Sequence, residues 1–149
     1  MAKYFAQHQT AAGTTLVLLN LTGGTTVRPA VYSWTLGSDA TPADLAGEFN
    51  LMRSTTAGST GTALNENPRD SLTVAATGAA TGGTYTAAPT ITASSQQKTC
   101  PLNQRATYEW NANPGDEIYA IASANNGIAV YSVNHGGTPN IVTGVAWWE

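Results

Sequence analysis

Apolar and polar side chains alternate with a period of two along much of this chain, which predicts β-strands in preference to helices. The cleanest case sets Ala106, Tyr108 and Trp110 against Arg105, Thr107 and Glu109. Between Val27 and Leu36, Val31, Ser33 and Thr35 alternate with Tyr32, Trp34 and Leu36, so a ring-bearing face opposes a smaller one. Thr14 to Leu21 is instead a continuous β-type run that stops at Gly23-Gly24. It predicts a strand buried on both faces or lying against a partner chain. Phe49 to Arg53, Glu117 to Ala122, Ile128 to Val133 and Ile141 to Trp148 complete the clear strands. Thr84 to Ala93 is demoted to an edge or broken strand by Pro89.

Punctuation between these runs is informative. Asn113-Pro114-Gly115-Asp116 predicts a turn, with Pro fixing φ at its second position and Gly supplying positive φ at its third. Asn125-Asn126-Gly127 predicts a hairpin, and Gly136-Gly137 closes the strand that follows. Thr41-Pro42-Ala43-Asp44 carries a helix-start signal of N-cap, Pro at the first helical position and an acid in the first turn. It predicts one short helix near 41–47. Residues 54–83, rich in Gly, Thr and Ala, are expected to be long loops with weak strands, one around Leu72 to Ala76. Residues 1–13 are expected to form an extended amino-terminal arm. About eight short antiparallel strands in one domain over 1–149 predict an all-β sandwich, jelly-roll-like in kind.

Composition narrows the function classes. Only 10% of the residues are charged and 42% are hydrophobic, so the chain folds and presents a Thr-rich surface that is cheap to desolvate. The net charge is −3, and the six Lys and Arg residues form no run able to neutralise adjacent phosphates, so no nucleic acid partner is expected. No basic amphipathic helix is present, and Leu16-Val17-Leu18-Leu19 is too short to cross a bilayer, so no membrane partner is expected either. Met1 to Gln9 lacks the apolar core of a secretory signal, which predicts synthesis in a cytoplasm. A single cysteine, Cys100, precludes an intrachain disulfide.

Chemistry-bearing constellations are not found. Of the two histidines, His8 falls in the amino-terminal arm and His135 in an expected hairpin loop before Gly136-Gly137, where each reads as a surface residue, and no Gly-x-Ser-x-Gly elbow exists. Asp39, Asp44 and Glu48 cluster without the spacing of a calcium loop. The expected catalytic, cofactor-binding and metal residues are therefore none, and the chain is expected not to be an enzyme. Aromatics carry the remaining signal. Trp34 and Trp110 are expected to fill the core, although four tryptophans and six tyrosines could also build a sugar-stacking platform. Trp147 and Trp148 are neighbours in one strand, so they point to opposite faces and one of them must face solvent, a covering loop or another subunit. With Tyr4 and Phe5 of the arm, they are the candidate interface residues.

Several stretches resemble a known family. Met1-Ala2-Lys3-Tyr4, Thr26-Val27-Arg28-Pro29 with Tyr32, Gly37 to Asp44 and Glu48 to Arg53 lie in the first half. Asn103 to Trp110, Pro114-Gly115, Ala124 to Gly127 and Trp147-Trp148-Glu149 lie in the second. Together they resemble the capsid decoration, or cement, proteins of tailed phages, and Thr55 to Ser95 falls outside the likeness. The resemblance implies a β-sandwich or jelly roll on the exterior of a virion, made in the bacterial host cytoplasm. It implies the major capsid protein as partner, stabilisation of capsomer joints, and a homo-oligomer, with a trimer favoured and a dimer possible. The alternative is a carbohydrate- or receptor-binding module of a phage tail or fibre.

Overall fold

A computed structural model describes residues 1–12, 16–59, 61–70 and 75–149. Its long strands are β1 (Lys3–Ala11), β2 (Val17–Thr22), β3 (Ala30–Asp39), β4 (Ala46–Ser54), β8 (Ile91–Asn103), β11 (Gly127–His135) and β12 (Asn140–Trp148). Shorter ones are β5 (Thr62–Ala63), β6 (Asn67–Pro68), β7 (Ala79–Gly82), β9 (Tyr108–Asn111) and β10 (Ile118–Tyr119). Among the described residues there is no helix. The twelve strands among the described residues exceed the about eight expected partly because the amino-terminal arm is β1, and because β5 and β6 are two-residue pairings that no alternation could signal.

Two antiparallel sheets face each other. The first runs β10-β3-β12-β1-β6, with β9 also paired to β3, and the second runs β5-β7-β2-β11-β4-β8. Strands β1 to β4 alternate between the two sheets, β8 and β11 lie in the second with β4, and β12 returns to the first between β1 and β3. Trp34, Trp147, Tyr4, Leu19, Leu21, Leu51, Ile128 and Val130 are fully buried between the layers. Strand β2 is buried at all six positions, matching the first of the two readings of its unbroken apolar run. Trp34 meets the edge of Tyr108, and its indole N–H donates to Thr143 Oγ1 at 3.2 Å, so its polar atom is satisfied within the core.

Four expectations are corrected. The amino-terminal arm is a strand: β1 pairs with β12 along its whole length, from Lys3 opposite Trp148 to Ala11 opposite Asn140. Its alternation was masked because Ala6 and His8 are weak inward-facing signals beside Tyr4. The helix near 41–47 does not form. A two-turn helix cannot offset its nucleation cost, and tertiary partners take its backbone and acid: Ala43 N–H donates to Gln104 Oε1, and Asn103 Nδ2 donates to Asp44 Oδ1.

Asn125-Asn126-Gly127 is a crossover, not a hairpin, since β10 and β11 belong to different sheets. Gly127 is needed there for close approach, because a Cβ would sit 2.4 Å from the Leu21 carbonyl oxygen. Glu117 to Ala122 shrinks to β10. The turn at Asn113–Asp116 forms as expected, with Gly115 at φ +97° and Asp116 N–H bonded to Asn113 O at 2.9 Å.

The described residues of 54–83 hold the short strands β5, β6 and β7, separated by loops. The chain leaves β4 near one edge of the second sheet, reaches β5 at the other, and returns to β8. Outgoing and returning segments bind each other through a bridge between Ser59 and Ala87 and a bond from Thr55 N–H to Thr90 O. Gly13 of the expected arm, Thr14 and Thr15 of the first expected strand, and Leu72 to Val74 of the weak one lie outside the described residues.

Candidate interaction surface

Strand alternation decides which aromatic rings reach the outside of the first sheet. Trp147 and Tyr4 are paired across β12 and β1, both point inward, and their rings stack at 5.7 Å. Both are fully buried, so these two interface candidates are core residues. The Trp147 indole N–H donates to Glu149 Oε1, and the same carboxylate accepts the N–H groups of Thr77 and Gly78 at 2.7 and 2.8 Å. The last residue thus ties β12 to the loop before β7.

Phe5 and Trp148, the other two candidates, face outward and are half-buried. Phe5 lies over Gly144, where a Cβ would meet its ring at 2.7 Å, and the Arg69 guanidinium sits 4.9 Å above the ring. Trp148 stands opposite Ala30, which stands opposite Tyr119 on β10. The two rings meet edge to face at 5.6 Å across that alanine. Arg28 lies 5.2 Å from the Tyr119 ring and anchors its Nε on Ala120 O. Lys3 lies 5.7 Å from the ring of Tyr32.

A band of rings and cations therefore crosses the first sheet from β10 to β6. It runs from Arg28 and Tyr119 through Trp148, Tyr32 and Lys3 to Phe5 and Arg69. The rings are half-buried and the three cations exposed. A recess of about 290 Å³ opens within the band, lined by Met1, Lys3, Tyr32, Pro114, Glu117 and Trp148. Sequence reasoning named Phe5 and Trp148 but not Tyr32, Tyr119 or the cations above the rings. Their signal was faint: each cation is isolated in sequence, and only the sheet register brings the three together.

The remaining candidates are dispersed. Trp110 is partly buried at the open side of the sandwich beneath Lys98, whose ammonium lies 5.5 Å from the ring. Asp39 accepts from Gln9, Asp44 from Asn103 and Glu48 from Asn50, so the three acids serve separate partners. Among the described residues no group of three potential metal ligands converges. His8 faces the interior of the sandwich against Gly82 of β7, with Nε2 buried and without a partner. His135 ends β11, and its Nδ1 lies 3.0 Å from Gly137 O. Cys100 is buried, which pushes its thiol up to about 11 and keeps it protonated.

Comparison with known protein families, curated proteins and solved structures finds no match. The chain is all-β, two antiparallel sheets packed as a sandwich.

Proposed function

We propose that this chain is a structural virion protein, a capsid decoration protein that binds the outer capsid surface and stabilises capsomer joints. The observation that carries the binding reading is the band on the first sheet. Aromatic side chains and arginine are the residue types that dominate binding energy at protein interfaces. Here they stand on strands whose inward neighbours, Tyr4 and Trp147, are locked in the core, so the face is rigid before any partner arrives.

A jelly roll is the finer fold we propose. Its support is the strand order, in which β1-β12-β3-β9 faces β2-β11-β4-β8 and β5 to β7 form an insertion. Such a sandwich suits a protein that must fold without disulfides and then sit on a larger assembly. The proposed partner is the major capsid protein, and the proposed assembly is a homotrimer on the capsid exterior. A carbohydrate-binding module needs open ring faces for sugar stacking, whereas Lys3, Arg28 and Arg69 lie over the Tyr32, Tyr119 and Phe5 rings. That occupancy favours a protein partner.

The test is direct. Purified protein added to expanded capsids assembled from the proposed partner, the major capsid protein, is expected to co-sediment with them and raise their melting temperature. Failure to do either overturns the proposal.

A further inference from the structure

Three of the six cations of this chain lie on the band, in a molecule whose net charge is −3. Each is held over a ring, and a ring face attracts a cation without neutralising its charge. Glu117, at the rim of the recess with Lys3, accepts the Gly115 N–H. Three cations therefore stand on one face of an otherwise weakly acidic protein.

Its dimensions select a shape of partner. Arg28 flanks β10 and Arg69 follows β6, four strand spacings away, which is about 19 Å at about 4.8 Å per spacing. Lys3 stands between them. An extended peptide of about six residues covers the same distance at about 3.3 Å per residue. The half-buried Trp148 ring within the recess offers an apolar seat midway along it.

We infer that the outer face of the first sheet docks an extended acidic peptide segment, with Arg28, Lys3 and Arg69 receiving its carboxylates and Trp148 an apolar side chain. The inference rests on the binding reading above and narrows the partner's chemistry. Nucleic acid bases and sugar rings would both need ring faces that the cations occupy. An acidic peptide needs only the cations and a ring edge.

The probe is immobilised poly-L-glutamate at low salt, with heparin and single-stranded DNA as parallel columns. Wild-type protein is expected to be retained on poly-L-glutamate and released as salt rises. Loss of each cation is expected to weaken retention about two- to five-fold, and the triple variant Lys3→Gln, Arg28→Gln, Arg69→Gln about 10- to 100-fold. Arg105→Gln removes an exposed cation from elsewhere and is expected to change nothing. If the triple variant misfolds, the three single variants, checked by thermal unfolding, decide the matter. Flow-through of wild type, equal retention of the variants, or preferential retention on heparin or DNA overturns the inference. Capsid co-sedimentation is read separately, so a protein that binds poly-L-glutamate but no capsid refutes the capsid assignment and leaves the docking chemistry standing.

Discussion

Trp147 and Trp148 are chemically identical neighbours with opposite surroundings. One is fully buried, stacked on Tyr4 and hydrogen-bonded to Glu149; the other lies half-exposed against Tyr119 in a band of cations. Tyr4 and Phe5 on β1 repeat the split, Tyr4 inside with Trp147 and Phe5 outside beneath Arg69. The comparison shows how one strand pair serves two ends. Its inward side fixes the sandwich, and that fixed backbone positions the outward rings that the proposed function assigns to a partner. Residue type does not separate the two roles, but parity along the strand does.

The largest effect should come from the inner side. Trp147→Ala leaves a cavity against Tyr4 and is expected to cost about 3 to 5 kcal/mol, seen as a fall of roughly 10 °C in thermal unfolding. A next, smaller loss should follow Glu149→Ala, which strips an acceptor from Thr77, Gly78 and Trp147. Chemical denaturation should register about 1 to 2 kcal/mol, and an unchanged midpoint would show that this carboxylate does not brace the core.

His8 sharpens the same division along β1, since it shares the inward side with Tyr4. Burial holds its pKa below the ordinary 6.5. The unfolded chain then binds the proton more readily, so stability is full above about pH 6.5 and falls as pH drops through that value toward the folded pKa. His8→Gln should flatten this part of the stability-against-pH curve; an identical slope would place the acid sensitivity elsewhere. Smallest in energy is the Cys100 test. With a buried thiol at about 11, native protein at pH 8 should resist alkylation by iodoacetamide, while unfolded protein reacts. Rapid native labelling would mean that the β4–β8 edge opens.

Much of the architecture was legible because long strands with strong apolar alternation announce themselves. The β2, β4, β11 and β12 runs and the Pro-Gly turn at Asn113–Asp116 appear where the pattern put them. What failed had physical causes. At 41–47 the caps were present, but a two-turn helix lost to the hydrogen bonds offered by Asn103 and Gln104. At Asn125–Gly127 the residues suited a tight turn, yet Gly127 was serving its contact with β2.

The proposed interaction surface was half legible. That one of the two terminal tryptophans points outward follows from parity. That it joins Tyr119 across Ala30 depends on register between strands far apart in sequence, which one strand's pattern does not encode.

Trp148→Ala tests the central claim most directly, through thermal unfolding and capsid co-sedimentation measured on the same preparation. The account predicts a stability loss well below that of Trp147→Ala, because the ring lies on the outer face and is partly exposed, together with at least about tenfold weaker binding, as befits an interface anchor. A loss of stability equal to that of Trp147→Ala, with capsid binding unchanged, would contradict it.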